Sequence, residues 1–449
     1  MNAAPAIFRN YVYVGNRTDG SVDDPHPGVL VVDVRDPSDP EVVAEIGPPN
    51  EGNVSETSRE LRVWPQQRLL LVMNFQCSAI LHECVSNADV TGSLEWSIKF
   101  YDLSGENAAS PKLVATYVPS RVPHEMHLWV DPAKPNTRAL LYLSTPTSRT
   151  DRPNLIVTDI SKARKDVFSE IVHWRGNDEF TAEEREGRDV RLHSMGTSAD
   201  GRRTYLAYLG GGFLVLDTSE VAAKVRDPEV RLLTPPSNSP RWPNQTVHSA
   251  FKFPGRDLAI TTDEVYGDLL DPLVRPENEF GCPWGWVHII DISDESRPTI
   301  VGRYLIDENR QEYCESADGQ DPSNTFFTSY SAHNPTVLPN LAFVTWHSGG
   351  LQAFAVGPDG RTKPAGFFSP EPLPFVFTED PALSLGRNKV VMWSFPIIKD
   401  GLIYAVDVRN GLYILRYTGP RAAEVAEIRF LEGNSNLGDA LRLEGISSG

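Results

Sequence analysis

Cysteine is scarce in this sequence, with four residues in a chain of 449. Four cysteines in this length do not make a disulfide framework, and the spacings of Cys77, Cys84, Cys282 and Cys314 are not typical of a zinc site. The first residues show no basic segment followed by an apolar one, so we expect no signal peptide. We therefore expect a cytoplasmic protein whose thiols are free.

Basic residues and long apolar runs are also scarce in this sequence. Lys and Arg number 42 against 60 Asp and Glu, and the formal net charge of -18 disfavours binding to nucleic acid or to anionic lipid. No run of about 18 apolar residues occurs, so we expect no membrane span. We expect a small molecule as the partner, and the composition leaves the oligomeric state open.

Helical periodicity is nearly absent, with residues 181–188 as one short candidate, and a strand repeat takes its place. Residues 28–47 read GVLVVDVRDPSDPEVVAEIG, and residues 285–304 read GWVHIIDISDESRPTIVGRY. Each is an apolar strand ending in Asp, a polar turn with Pro and a second apolar strand. Five further copies make seven in all, and two more short apolar segments precede each copy from the second onward.

A repeat of four short strands is what a propeller blade requires. The sequence therefore predicts an all-β, seven-bladed β-propeller that forms a single domain over residues 1–449. In this interpretation the first blade lacks its innermost strand, because few residues precede its second strand. We expect the tail at residues 431–449 to return and supply that strand, since this would remove an exposed sheet edge.

The repeat also resembles a known family. The strands LVVD, IIDI and VLDT, each followed by a polar turn, are similar to those of LVIVD-repeat proteins, a family read as β-propellers. The resemblance covers nearly the whole chain. It implies the propeller fold, whereas the chemistry has to be argued from individual side chains.

Long insertions fall between second and third strands or between blades, and in a propeller both positions open on the same face. They are residues 74–96, 175–189, 234–245, 263–284, 307–330 and 369–389. Because aromatic residues are frequent in them and favour burial, we expect long loops that cap one face, with a ligand pocket beneath them.

Histidine carries the most specific chemical signal. The segments PHEMHLW, RLHSMGTS, TVHSAFKF and SAHNPTVL align at the start of the innermost strand in four successive blades. They place His124, His193, His248 and His333 at one equivalent position, where side chains converge on the propeller axis. Four imidazoles there predict a mononuclear divalent metal site that keeps positions open for water or substrate.

Other residues on the same face are expected to act on the substrate or to orient the metal ligands. His347 lies between a second and a third strand, and Arg59 of the second blade can hold an anionic or carbonyl oxygen. Glu125, Asp263 and Glu264 can accept hydrogen bonds that orient the ligands. We assign Arg59, Glu125 and His347 as the catalytic candidates.

A structural role is the alternative for the repeated histidine, because WD-type propellers use a His–Asp hydrogen bond to hold each blade together. The first two blades keep Asp33 and Asp102 without a matching His, whereas the sixth keeps His333 with Ala355 in place of the Asp. This decoupling favours the metal interpretation.

The four-His layout is similar to that of the carotenoid cleavage oxygenases and, more loosely, to that of the methanethiol oxidase propellers. The resemblance implies Fe(II) as the preferred ion, and imidazole ligands also suit Zn, Mn or Cu. It leads us to expect a metal-dependent oxidoreductase or oxygenase that acts on a small apolar or aromatic molecule.

Two other functions stay open from the sequence. The first is a metal-free lyase, isomerase or hydrolase with His124 or His193 as general base and Arg59 as oxyanion partner. The second is a ligand-binding or protein-binding scaffold with an exposed apolar patch on the loop face.

Overall fold

The computed structural model describes residues 2–17, 28–47, 56–76, 96–243, 245–265, 283–319, 330–371 and 390–446. Within these ranges the chain forms 28 β-strands, and its α-helices are single turns of four or five residues. The prediction of an all-β chain is therefore confirmed. No helix among the described residues has the length and hydropathy that a membrane crossing needs.

The strands follow the chain in groups of four, which we call units 1 to 7. Units 1 and 2 contain β1 (Asn2–Phe8), β2 (Tyr11–Asn16), β3 (Val29–Asp33), β4 (Glu41–Ile46), β5 (Glu56–Trp64), β6 (Leu69–Gln76), β7 (Ser97–Asp102) and β8 (Lys112–Tyr117). Units 3 and 4 contain β9 (Glu125–Val130), β10 (Ala139–Ser144), β11 (Leu155–Lys162), β12 (Val167–Trp174), β13 (Leu192–Thr197), β14 (Arg203–Tyr208), β15 (Gly212–Asp217) and β16 (Arg231–Leu232).

The remaining units complete the chain. Units 5 and 6 contain β17 (Val247–Lys252), β18 (Leu258–Asp263), β19 (Val287–Asp291), β20 (Thr299–Tyr304), β21 (Pro335–Val337), β22 (Leu341–Thr345), β23 (Leu351–Val356) and β24 (Thr362–Phe368). Unit 7 contains β25 (Ile397–Lys399), β26 (Leu402–Asp407), β27 (Gly411–Arg416) and β28 (Phe430–Leu431). The α-helices are α1 (Ala182–Arg185), α2 (Ser219–Ala222), α3 (Gln311–Cys314), α4 (Ala422–Ala426) and α5 (Ala440–Leu443).

The helix predicted near residues 181–188 is confirmed as α1. The hydroxyl of Thr181 accepts from the backbone N–H of Glu184, whose carboxylate accepts from the backbone N–H of Thr181. This reciprocal cap satisfies donors that a helix of one turn would otherwise leave exposed.

The strands form five sheets of four strands and one sheet of eight. In the larger sheet, units 1 and 2 are joined by one residue pair, Asn16 with Ser58. Five of the seven predicted blades are therefore separate four-stranded sheets. The first two predicted blades are joined in one sheet, because this pairing extends one sheet into the next.

Apolar side chains fill the space between successive units, because alternate residues of a strand point to opposite faces. In β14, Leu206 and Tyr208 pack against unit 3, whereas Tyr205 and Ala207 pack against unit 5. Comparable clusters lie between the other successive units and between the last unit and the first. The sheets are therefore arranged face to face around an axis, as in a propeller.

The first strand fastens unit 1 to unit 7. The backbone N–H of Asn2 donates to the carbonyl of Val408, and the side chain of Asn2 donates to the carbonyls of Asp407 and Val408. Ile7 shares an apolar cluster with Val406 of β26. The ring of sheets is thus closed by both hydrogen bonds and apolar packing.

The tail does not complete unit 1, so this prediction is wrong. β1 is already the innermost strand there, and the turn at Arg9 and Asn10 folds β1 directly onto β2. In the tail, β28 pairs instead with β25, where Leu431 lies opposite Ile398. A local hairpin closes at little entropic cost, which explains why β1 rather than a distant segment takes this place.

The tail instead crosses the end of the axis at which the innermost strands finish. Its backbone pairs with Leu128 of β9. The side chain of Asn436 accepts from the backbone N–H of Val130 and donates to the carbonyls of Val130 and Ala199. The tail thereby ties unit 7, which contains β28, to units 3 and 4.

Part of the predicted cap lies within the described residues. The side-chain amide of Asn309 donates to the carbonyls of Trp284, Gly285 and Tyr330. The rings of Trp284 and Tyr330 are buried against each other, with 5.3 Å between their centroids. Asn309 therefore holds segments of two insertions together, while residues 266–282 and 320–329 of these insertions lie outside the described residues.

The expectation of free thiols is not met at Cys314. This residue ends α3 and is disulfide-bonded. Bonds of this kind persist in oxidising surroundings. Cys77, Cys84 and Cys282 lie outside the described residues.

We expect Asn436→Ala to lower the free energy of unfolding by about 3 kcal/mol, because three buried hydrogen bonds are lost and each contributes about 1 kcal/mol. Urea denaturation of the purified protein measures the change. Arg442→Ala is the matched control in the same tail, since this exposed side chain pairs with Asp439 of the same helical turn. Equal stability of the two variants would contradict a structural role for the tail.

Candidate metal centre

The four predicted histidines lie at the starts of four consecutive innermost strands. His193 and His248 are each the second residue of their strands, β13 and β17, while His124 directly precedes β9 and His333 lies two residues before β21. A strand of six residues is about 20 Å long. The histidines and the tail therefore lie at opposite ends of the axis.

The structure brings these four side chains together in a row. The Nε2 atoms of His124 and His193 are 2.9 Å apart. The ring centroids of His193 and His248 are 4.0 Å apart, and those of His248 and His333 are 3.8 Å apart. The alignment of repeats predicts this proximity because equivalent positions of successive units reach the axis at the same height.

A buried carboxylate and a fifth histidine join the row. Glu264 directly follows β18, and its Oε1 lies 3.0 Å from Nε2 of His333 and 3.3 Å from Nε2 of His347. Its Oε2 lies 3.6 Å from Nε2 of His248. The side chains of these three histidines and of Glu264 are at most 5% exposed. The two carboxylate oxygens therefore face different histidines in a site removed from solvent.

The donor atoms form two groups within each of which all atoms lie within 4.8 Å of one another. The groups are His193, His248 and Glu264, and Glu264, His333 and His347. Two ligands about 2.1 Å from one ion lie about 3.0 Å apart at a right angle and about 3.6 Å apart at 120°. The distances from Glu264 to the histidine nitrogens fall in this range. Both groups therefore fit a divalent cation.

Hydrogen bonds determine which nitrogen of His248 faces the carboxylate. Ser249 donates its hydroxyl to Oδ1 of Asn334 at 2.9 Å, so its oxygen accepts from Nδ1 of His248, also at 2.9 Å. Asn334 is oriented in turn because it donates to the carbonyl of Trp393. His248 therefore carries its proton on Nδ1 and presents the lone pair of Nε2 toward Glu264, which is the tautomer that binds a metal ion.

His333 is held in the same tautomer. Its Nδ1 donates to the carbonyl of Trp393 at 2.5 Å, so its Nε2 carries the lone pair. That lone pair accepts from the indole N–H of Trp393 and also lies 3.0 Å from Oε1 of Glu264. A nitrogen lone pair and a carboxylate oxygen at this distance repel each other unless a proton or a cation lies between them.

Burial favours the neutral form of the imidazoles. Desolvation lowers the pKa of His193 to about 4 and the pKa of His333 to about 3, and it holds the pKa of His248 well below its ordinary value. Burial raises the pKa of Glu264, whereas positive charge at His333 and His248 lowers it well below its usual range. The lowered pKa values of the histidines favour unprotonated nitrogens at neutral pH, as metal binding requires.

The row of histidines is buried at one end and accessible at the other. His248, His333 and His347 are buried, whereas His124 and His193 are half-buried. His124 and His193 are therefore the most exposed members of the row.

Arg59 and Glu125 lie beside the row and belong to neither donor group among the described residues. Arg59 in β5 is close enough to lower the pKa of His124, after the larger effects of burial and of His193. Glu125 is buried in β9, and burial together with the nearby Glu60 raises the pKa of its carboxyl. Glu125 thus directly follows His124 in the chain and lies outside both donor groups of the described residues.

The sequence predicts Glu264 only as a residue that orients the ligands, whereas the structure places it in both donor groups. Its position gives a signal for this role, because LAITTDE ends an apolar strand in unit 5, between the histidines of units 4 and 6. Asp263, predicted for the same orienting role, accepts instead from the backbone of Thr246 and the indole of Trp242. His347, predicted as catalytic, lies in the second donor group.

Comparison with known proteins identifies no family for this chain. No family model matches it, and no curated protein matches it. The periplasmic gluconolactonase PpgL of Pseudomonas aeruginosa is similar in structure at 13% identity and a TM-score of 0.48, over 91% of this chain and 99% of that one. Sqt1 of Chaetomium thermophilum, bound to the N-terminus of the ribosomal protein L10, is similar at 12% identity and a TM-score of 0.46, over 92% and 97%. Likenesses this distant carry no argument about function.

We expect Ser249→Ala to weaken metal binding by about 10- to 100-fold, because the hydroxyl that orients His248 is lost. A competition titration of the purified protein with Zn(II) and a chromophoric chelator measures the affinity. Ser435→Ala is the matched control, since it removes a buried hydroxyl in the tail, where Ser435 contacts Glu432. An unchanged affinity in Ser249→Ala would contradict the tautomer assigned to His248.

Proposed function

We propose that this protein is a metal-dependent enzyme whose ion is bound by His193, His248 and Glu264, with His124 as a further ligand on the accessible side. The observation that carries this proposal is the buried carboxylate of Glu264, which lies among imidazole nitrogens that carry lone pairs. The Nδ1 protons of His248 and His333 are committed to Ser249 and to the carbonyl of Trp393, so a cation between these imidazoles and Glu264 is a charge partner that the site favours.

Iron is the ion that the donor set favours. His193, His248 and Glu264 supply the two imidazoles and one carboxylate that are typical of non-haem Fe(II) enzymes that activate O₂, and His124 would occupy one of the remaining positions. Imidazole also suits Zn and Cu. We therefore propose an oxidoreductase of the oxygenase type. When bound, Fe(II) would supply the open coordination positions for O₂ or substrate, and the chain's own residues orient the ligands and exclude water from their buried side.

An apolar or aromatic small molecule is the substrate class that the surroundings favour. The ring of Trp393 lies 5.4 Å from that of His333 and 5.3 Å from that of His347, between centroids. The guanidinium of Arg17 stacks on the same indole at 3.6 Å. The indole of Trp393 next to the donor groups supports binding of an apolar ring or chain.

We also propose that the eight-stranded sheet acts as two blades, which makes the propeller seven-bladed. One residue pair, Asn16 with Ser58, joins its halves. An apolar cluster packs between these halves, as between every other pair of successive units. Two faces that pack against each other in this way are those of two blades rather than of one continuous sheet.

Purified protein loaded anaerobically with Fe(II) is expected to retain the ion through gel filtration. His193→Ala and Glu264→Gln each remove a ligand, and we expect a loss of affinity greater than the about 100-fold that removal of an orienting group can cause. Metal analysis by mass spectrometry measures the retained iron. His173→Gln is the control, because His173 is exposed on β12 and contacts Glu170. Wild-type protein that binds neither Fe(II) nor Mn(II) nor Zn(II) would contradict the proposal.

Oxygen uptake tests the type of reaction. We expect Fe(II)-loaded wild-type protein to consume O₂ together with at least one member of a panel of small aromatic and apolar compounds. A chelator and the Glu264→Gln substitution should each abolish this uptake, because both remove the ion. Conversion of a substrate that persists without metal would instead support acid–base chemistry by the accessible His124 and His193.

A further inference from the structure

We infer that the site holds two cations, which Glu264 bridges through its two carboxylate oxygens. The inference rests on the proposed metal-binding function and adds to it a second position, formed by Glu264, His333 and His347. In the first position the ion has His193, His248 and the other oxygen of Glu264 as ligands.

The two carboxylate oxygens of Glu264 face different histidines. Oε1 of Glu264 lies near Nε2 of His333 and of His347, at 3.0 and 3.3 Å, whereas Oε2 lies near Nε2 of His248 at 3.6 Å. Each oxygen thus has its own histidines. A carboxylate with one oxygen directed at each of two ligand sets has the geometry of a bridge between two ions.

The donor atoms of the row form two separate groups. Donors to one ion at about 2.1 Å are at most about 4.2 Å apart, even when they lie on opposite sides of it. Among the described residues, the only member common to the two donor groups is Glu264. His248 belongs to the first group and His333 to the second, so the row offers two ion positions rather than one.

The backbone at His347 supports the second position independently. His347 has a φ of 39°, which lies in the left-handed region that a residue with a side chain rarely adopts. Two backbone hydrogen bonds with Met392 hold it there, and its side chain is fully buried against Glu264. Backbone strain of this kind is maintained where the structure needs a side chain in one particular place.

Trp393 determines how the two positions differ. Its indole N–H donates to Nε2 of His333, so a cation in the second position displaces this hydrogen bond. Among the residues that the structure describes, the ring of His248 makes its hydrogen bond through Nδ1, with Ser249, which leaves Nε2 directed at the first position. The second position therefore fills after the first.

A titration with Mn(II) alone tests the inference, because Mn(II) accepts nitrogen and oxygen ligands and is visible by electron paramagnetic resonance. We expect two Mn(II) per wild-type chain and a spectrum of two exchange-coupled ions. His347→Gln should reduce the stoichiometry to one and restore the six-line spectrum of an isolated ion. The exposed control His173→Gln should keep both ions.

A second variant distinguishes loss of the second metal position from misfolding of the protein. Trp393→Phe keeps an aromatic ring but removes the competing N–H, so the second Mn(II) should bind about fivefold more tightly, the equivalent of one hydrogen bond. A wild-type chain that binds one Mn(II), unchanged in His347→Gln and Trp393→Phe, would overturn the second position while the proposed metal enzyme stands. A wild-type chain that binds none would overturn both.

Discussion

A negative charge placed among neutral imidazoles is the constraint on which this site depends. Transfer of an isolated carboxylate from water into a protein interior costs several kcal/mol unless a partner compensates it. Glu264 is at most 5% exposed, and its neighbours His248 and His333 have their Nδ1 protons committed to Ser249 and to the carbonyl of Trp393. These hydrogen bonds orient the two imidazoles, and a cation bound between them and Glu264 would compensate the buried carboxylate.

The backbone carbonyl of Trp393 orients several side chains of the site. It accepts from Nδ1 of His333, from the amide of Asn334 and from the hydroxyl of Thr345. Through Asn334 the effect extends to Ser249 and so to His248 in the neighbouring unit. One peptide group of unit 7 therefore helps to fix the tautomers of histidines in units 5 and 6, and the closed ring of sheets keeps these three units in register.

The sequence predicts the parts of the molecule that repeat, because repetition makes a short pattern recognisable. The apolar strands ending in Asp predict the propeller arrangement, and the aligned segments around His193 and His248 predict that their side chains meet. The shared role of Glu264 is not predictable in this way, since no other unit has an equivalent carboxylate at that position. The path of the tail is equally hidden, because the contacts of Asn436 are with backbone groups of Val130 and Ala199, which leave no mark in the sequence.

The separation of the tail from the histidines has a consequence for how substitutions combine. The tail crosses one end of the axis, where Asn436 and Leu431 are buried, and the half-buried His124 and His193 lie toward the other. A strand of about 20 Å separates the two ends. Changes of free energy caused by substitutions in the tail and at the histidines should therefore add, because sites more than about 10 Å apart that share no partner are largely independent.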